Sequence, residues 1–189
     1  MAVRDTPRHH KLTYEDYVHI PDDGKRHEIL DGEHCVTPSP TMDHQRLGGR
    51  LYLQLGHFVN AHRLGEVFYA PADVILSPHD IVQPDLFFIS TARLGIITKA
   101  NVQGAPDLAV EILSDSTRRR DETLKRQRYE QLGVIEYWIL DGRRQAVWIF
   151  RRTQGSEFGA QTELTAAAGQ VLTAPLLPAL EIALPDLFA

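Results

Sequence analysis

Pro106-Asp107-Leu108-Ala109-Val110-Glu111-Ile112-Leu113-Ser114 is the stretch on which the fold turns. From Leu108 to Leu113, Glu111 alone interrupts a run of aliphatic side chains. The run has the length of a strand, and its nearly continuous apolarity marks one covered on both faces. Alternation sets Asp107, Ala109 and Glu111 on one face and Leu108, Val110 and Ile112 on the other. Ser114 to Thr117 can cap a helix running from about Arg119 to Leu132, which Gly133 ends. Glu136 to Leu140 then resumes a strand, and Ala146 to Arg152 pairs with it as a hairpin around Asp141-Gly142.

Near the N-terminus, Thr13-Tyr14-Glu15-Asp16 predicts a short capped helix, because an acid follows the threonine by three residues. It should end near Pro21-Asp22-Asp23-Gly24. Arg26 to Leu30 and Glu33 to Thr37 flank Asp31-Gly32, a strong type I′ hairpin signal. A helix is expected from about Asp43 to His62, with Leu47, Leu51, Leu55, Phe58 and Val59 on one face and Gly65 as its stop. Glu66 to Leu76 and Ile81 to Ile89 read as two strands joined by Ser77-Pro78-His79-Asp80, followed by a helical turn near Leu94–Ile97. The prolines of the tail, Pro175, Pro178 and Pro185, point to short edge strands and a last packing segment at Leu187-Phe188. Strands with helices between them and hairpins at the margins predict an α/β (α+β) sandwich: a mixed central sheet flanked by helices. Residues 11–189 are expected to form a single domain, with 1–10 a loose N-terminal segment.

At 189 residues the chain can bury a substantial core. Its 43% of hydrophobic and 24% of charged residues are ordinary for a globular protein. No apolar stretch is long enough to span a bilayer, and residues 1–7 hold no apolar signal-peptide core. Cys35 is the sole cysteine, which excludes an intrachain disulfide and thiolate zinc clusters. A cytoplasmic protein is expected. The net charge of −5 argues against a broadly basic nucleic-acid-coating surface. It leaves room for a local basic patch, for which Arg118, Arg119, Arg120 and Arg128 are the candidates; a solvated helix face explains them equally well.

Chemistry points to three residues first. Asp85 and Glu111 each lie inside an apolar strand-like run, where an ionised carboxylate is costly unless paired. Neighbouring carboxylates repel unless a cation or proton is shared, and Mg²⁺ takes one or two carboxylates with waters and phosphate oxygens. At about 100° per residue, Lys125 falls inside the apolar arc of Leu124, Tyr129 and Leu132, and Arg128 falls there with it. A lysine so placed needs an anion or a route to solvent, and the anion on the preceding strand is Glu111. A structural salt bridge would satisfy it, as would a role beside a phosphate. Glu28, embedded in the hydrophobic run His27-Glu28-Ile29-Leu30, is either a third acid of the site or the partner of a buried cation. His44 shares the apolar arc of its helix and is either a satisfied core residue or a group beside the metal. Asp107 is a weaker metal candidate.

Five motifs in order then resemble a known family: Leu12-Thr13-Tyr14-Glu15-Asp16-Tyr17, His27 to Glu33, Val82-Gln83-Pro84-Asp85-Leu86, Gly104 to Ser114, and Gly133 to Asp141. Together, over roughly residues 11 to 152, they resemble the Uma family, bacterial proteins grouped with restriction endonucleases of the PD-(D/E)XK superfamily. The resemblance implies a restriction-endonuclease-like core, Asp85 and Glu111 as metal carboxylates, and Glu28 and His44 close to the site. It also exposes a departure: two residues after Glu111, where the superfamily motif carries its lysine, stands Leu113. The resemblance implies that the lysine has moved to the next helix, with Lys125 the candidate.

The expected activity is hydrolysis of DNA phosphodiester bonds with Mg²⁺ or Mn²⁺, by a homodimer if both strands are cut. A nuclease-fold module that binds nucleic acid or protein without catalysis is the main alternative. A glycosidase, which needs neither metal nor lysine, is a weaker one.

Overall fold

The computed structural model describes residues 10–153 and 155–189, so most of the N-terminal segment expected to be loose lies outside the described residues. The chain opens with α1 (Tyr14–Tyr17) and the hairpin β1 (Arg26–Leu30) and β2 (Glu33–Thr37). The long helix α2 (Met42–His62) leads to β3 (Gly65–Tyr69), β4 (Val74–Ser77), β5 (Asp80–Val82) and β6 (Leu86–Ser90). A 3₁₀ turn (Thr91–Ile96) and β7 (Val102–Gln103) precede β8 (Leu108–Ile112). A continuous helical stretch follows: α3 (Arg118–Arg120), a π turn (Asp121–Lys125) and α4 (Arg126–Leu132). Then come β9 (Glu136–Asp141), β10 (Ala146–Arg151), β11 (Thr162–Thr165), β12 (Val171–Ala174), β13 (Leu177–Ala183) and α5 (Leu184–Phe188).

The central sheet is mixed, in the order β11-β10-β9-β8-β6-β3. Within it β8 and β9 run parallel, joined across the helix that the sequence places between them. A second sheet runs β2-β1-β5-β4-β7, and β12 pairs with β13. β8 is buried along its whole length, as its apolarity requires.

The two faces of the central sheet carry separate cores. On one, Leu47, Leu51, Leu55 and Val59 of α2 pack on Leu86, Phe88, Leu108, Val110 and Ile112, with β12, β13 and α5 closing the edge. On the other, Phe87, Ala109, Tyr137 and Ile139 meet Tyr129, Val134 and the second sheet's Leu30, Val74 and Val82. Each fully buried aliphatic side chain contributes about 1.5–3 kcal/mol, and truncating one such as Leu51 to alanine would cost about 2–5 kcal/mol.

Local signals mostly hold. Thr13 and Asp16 form the capping box. Asp31 (φ 51°) and Gly32 (φ 81°) both have positive φ angles, as a type I′ turn demands. Three expectations need correction. Arg63, at φ 54°, ends α2 in place of Gly65; Gly65 is needed because a Cβ there would collide with the carbonyl of Ile89. Glu66–Leu76 is two strands, β3 and β4, in different sheets, and Ile81–Ile89 is likewise split into β5 and β6. Pro71 and Pro84 sit in the two gaps; neither can donate to a ladder, so the chain leaves one sheet for the other there. The Asp141-Gly142 hairpin has a wider loop, through Arg143, Arg144 and Gln145 (φ 48°), with Asp141 Oδ1 accepting from the amides of Arg143 and Arg144.

Candidate active site

Asp85 stands in the break between β5 and β6, where the chain passes from one sheet to the other. Its Oδ2 accepts the amide of Ile112 at 2.8 Å and faces His44 Nε2 at 3.2 Å, and its Oδ1 accepts from Arg26 Nη1 at 2.8 Å. His44 reaches it from the first turn of α2, where Thr41 caps the helix. Gly48 permits the approach, since a Cβ there would lie 3.2 Å from Ile112 Cδ1.

Glu111 projects from β8 on the face that alternation assigns it. Its Oε1 accepts from Lys125 Nζ at 2.8 Å and from Tyr129 Oη at 2.7 Å. Lys125 Nζ lies 2.8 Å from Glu28 Oε1 as well, and Glu28 Oε1 also accepts the amide of Gln83 at 2.8 Å. Lys125 is 2% exposed and Glu28 fully buried. The structure thus brings Glu28, His44, Asp85, Glu111 and Lys125 together. Asp107 is elsewhere, bonded to Arg93 and the amide of Ser90.

Two neighbours escaped the sequence reading. Asp121, on the π turn, lies 3.9 Å from Lys125 Nζ, and both of its buried oxygens lack a hydrogen-bond partner among the described residues. The signal was present: Asp121 and Lys125 are four apart and share a helix face. A π turn inside an α-helix often marks a functional position. Arg26 is two residues from Glu28, on the same face of β1, and that spacing could have placed it at Asp85.

Four carboxylates crowd around Arg26, Lys125 and Arg120, whose Nη2 is 3.8 Å from Glu28. Burial opposes the charge on Asp85, but the bond and charge of His44 and the Arg26 guanidinium outweigh it and hold its carboxyl below the usual range. Burial also opposes the Glu28 charge, which Lys125 and the Gln83 amide restore. Lys125 cannot serve every acid: burial pushes Glu111 up to about 8 against its pull, with Asp121, Asp85 and Glu28 adding repulsion. Burial likewise raises Asp121 to about 6. Lys125 itself would lose its proton to burial but for Glu111, Glu28 and Asp121, which hold it protonated.

The group opens into a cleft of about 240 Å³ lined by Arg26, His44, Asp85, Glu111, Asp121 and Lys125. Of the basic candidates, Arg120 lines this cleft and Arg118 an adjoining cavity. Arg119 is solvent-exposed. Arg128 does not join them: its guanidinium clasps Asp80 at 2.7 and 2.5 Å.

A divalent ion fits the donor set. All the acids offer hard oxygens, they exceed the fixed cations around them, and Asp121 leaves two oxygens unsatisfied. Among the described residues no three His, Cys, Asp or Glu side chains form a preformed cage.

The family model described as "Putative restriction endonuclease", Uma2, matches residues 14–185. The chain belongs to the Uma2 family. Among solved structures this Uma2 protein is similar to "a putative nuclease belonging to DUF820 from Anabaena variabilis ATCC 29413". The TM-score is 0.79 at 18% identity, over 94% of this chain and 97% of that one. The likeness is one of fold and agrees with the mixed α/β sheet flanked by helices. No functionally curated protein matches.

Proposed function

We propose that this Uma2 protein is a divalent-metal-dependent endonuclease that hydrolyses phosphodiester bonds in DNA, using Mg²⁺ or Mn²⁺. The observation that carries the reading is the convergence of acids on one buried lysine at an open cleft, with the oxygens of Asp121 unsatisfied. Asp85 and Glu111 are the residues that would hold the ion. When bound, it supplies charge neutralisation at the phosphate and a lowered pKa for the attacking water.

The chain's own groups do the rest. Lys125 and Tyr129 both take Oε1 of Glu111, which fixes the carboxylate and leaves Oε2 for the ion. Glu28 anchors Lys125, and the ammonium offsets charge that develops on the phosphate. His44 and the Ile112 amide hold Asp85 in place. Arg120 at the cleft, Arg118 in the adjoining cavity and the exposed Arg119 would be the contacts for the DNA backbone. One such site cuts one strand, so double-strand cleavage calls for a homodimer, and a cytoplasmic setting matches this chemistry.

A plasmid-nicking assay with Mg²⁺ or Mn²⁺, with and without EDTA, tests the reading against Asp85→Ala, Glu111→Ala and Lys125→Ala. Metal-dependent nicking lost in the variants is the expected result; nicking that survives Glu111→Ala overturns the assignment. A second reading, a binding module without catalysis, is favoured by Arg26, whose guanidinium already pairs with Asp85 Oδ1. It predicts metal-independent DNA binding that Asp85→Ala does not weaken.

A further inference from the structure

Beside the acids, between α2 and the end of β3, lies a second cavity of about 520 Å³, lined by Gly48, Gly49, Tyr52, Leu53, Tyr69 and Pro71. It shares Arg26, Pro40, His44, Asp85 and Ile112 with the acidic cleft, so the two are continuous. Its character differs. Tyr69 is 60% exposed and Leu53 is 70% exposed. Large apolar side chains are seldom so open to solvent when they sit together at one cavity. Tyr52 and Tyr69 form a T-shaped pair with centroids 4.9 Å apart. That arrangement covers one face of one ring and leaves others for a third ring. Gly48 and Gly49 lie one helical turn before Tyr52 and Leu53 on α2, and a Cβ at Gly49 would meet nothing within 4 Å. On the far side of His44 the cleft adjoins a cavity of about 610 Å³ lined by Arg50 and by Arg46, Arg118 and Arg143, which pair with Asp43, Asp141 and Asp115.

Arginines, acids and aromatic rings thus follow one another along a single groove. A nucleic-acid strand presents the matching order: phosphates for the arginines, a scissile phosphate for the acids, and a base for the rings. Bases in a duplex are stacked and cannot enter a side cavity; only an unpaired or extruded base can. We propose that the Tyr52–Tyr69 cavity receives an unpaired base of the DNA strand whose neighbouring phosphate lies at Asp85 and Glu111, which makes single-stranded DNA the preferred substrate. This rests on the nuclease reading for the position of the phosphate.

The test uses the full chain, Ca²⁺ as the ion, and a short single-stranded oligodeoxynucleotide carrying one 2-aminopurine, alone and annealed to its complement. Stacking in the cavity quenches the 2-aminopurine fluorescence, and the single strand binds more tightly than the duplex. Tyr69→Ala, an exposed position, weakens single-strand binding by roughly tenfold and restores the fluorescence. Gly49→Leu fills the cavity from a position free of contacts and does the same, without touching the acids. Absent quenching, equal affinity for both forms, or variants that bind like the wild type each overturn the proposal. Mg²⁺-dependent cleavage of the same single-stranded oligodeoxynucleotide separates the two readings: quenching without cleavage keeps the base cavity and sinks the nuclease, and cleavage without quenching does the reverse.

Discussion

Lys125 Nζ lies 2.8 Å from Glu111 Oε1, on a strand fourteen residues upstream. That contact brings the ammonium of a helix to the carboxylate near the end of β8. It places a lysine at the acid without one standing two residues after it. The same ammonium is 2.8 Å from Glu28, so it ties the second sheet to the first through the site.

Replacing Lys125 with methionine keeps most of the side-chain volume and deletes the charge. Glu28, Glu111 and Asp121 would then face one another unpaired, and breaking a buried pair this way costs about 3–5 kcal/mol. We expect a matching loss of stability by denaturant titration. Adding Glu28→Gln to Lys125→Met should recover part of it. A double variant destabilised by the sum of the singles or more would show that Glu28 does not depend on Lys125.

The acids should separate by role. Asp85→Ala and Glu111→Ala are expected to lower the nicking rate by about a hundredfold or more, the effect of losing a metal site. His44→Asn acts through Asp85 and should cost less, roughly 10–100-fold, with activity partly restored by added Mn²⁺. Equal losses in all three, with His44→Asn unresponsive to metal, would place His44 at the reacting atoms.

Stability should respond to pH through Glu111. Its carboxyl rises from the usual 4.5 to about 8 on folding, so the native state holds this proton more tightly than the unfolded chain. The resulting stabilisation is complete below pH 4.5 and is lost as pH climbs through about 8. Asp121, raised to about 6, acts the same way over the lower part of that window. Asp85 and Glu28, both lowered, stay ionised across it and add a constant. Between pH 5 and about 8 the wild-type Tm should therefore fall by roughly 5 °C more than that of Glu111→Gln. Mg²⁺ should raise the wild-type Tm more at the alkaline end of that range than at the acid end, because it binds the ionised acid. Parallel curves for the two proteins would refute the shift.

The arginines should divide between fold and DNA. Arg128→Ala leaves Asp80, itself fully buried, without its bidentate partner. It should cost about 3 kcal/mol of stability and leave DNA affinity unchanged. Arg119→Ala and Arg50→Ala should instead reduce the slope of log affinity against log salt by about one each, with smaller effects on Tm, whereas Arg118, bound to buried Asp141 Oδ2 at 2.9 Å, belongs with Arg128. A salt slope that moves with Arg128→Ala and stays put with the others would reverse the division.

Legibility in the sequence followed the range of the interaction. The capping box at Thr13, the Asp31-Gly32 turn and the buried run of β8 rest on contacts between near neighbours, and each is where the residues place it. The unbroken strand expected over Ile81–Ile89 was wrong because a proline states where a ladder stops and not which sheet takes up the chain next. Lys125 and His44 were singled out because a polar side chain on an apolar helix face needs a partner. That argument identifies the need and leaves the partner open. It could not tell Arg128, committed to Asp80, from a residue free for DNA, since helical period assigns an arc and not a neighbour.

Read alone, the residues yield the strand–helix–strand succession over 107–140 and the costly charges that had to be compensated. These follow from alternation, helical period and desolvation, which act within a few residues. Packing in three dimensions settles which partners each of these groups meets: Lys125 takes both Glu28 and Glu111, Arg26 takes Asp85, and Arg128 goes to Asp80. Coulombic and hydrogen-bonding partners are chosen by distance in space. Residues from β1, the β5–β6 break, β8 and the π turn come within 4 Å of their partners only once two sheets and a helix have packed against one another.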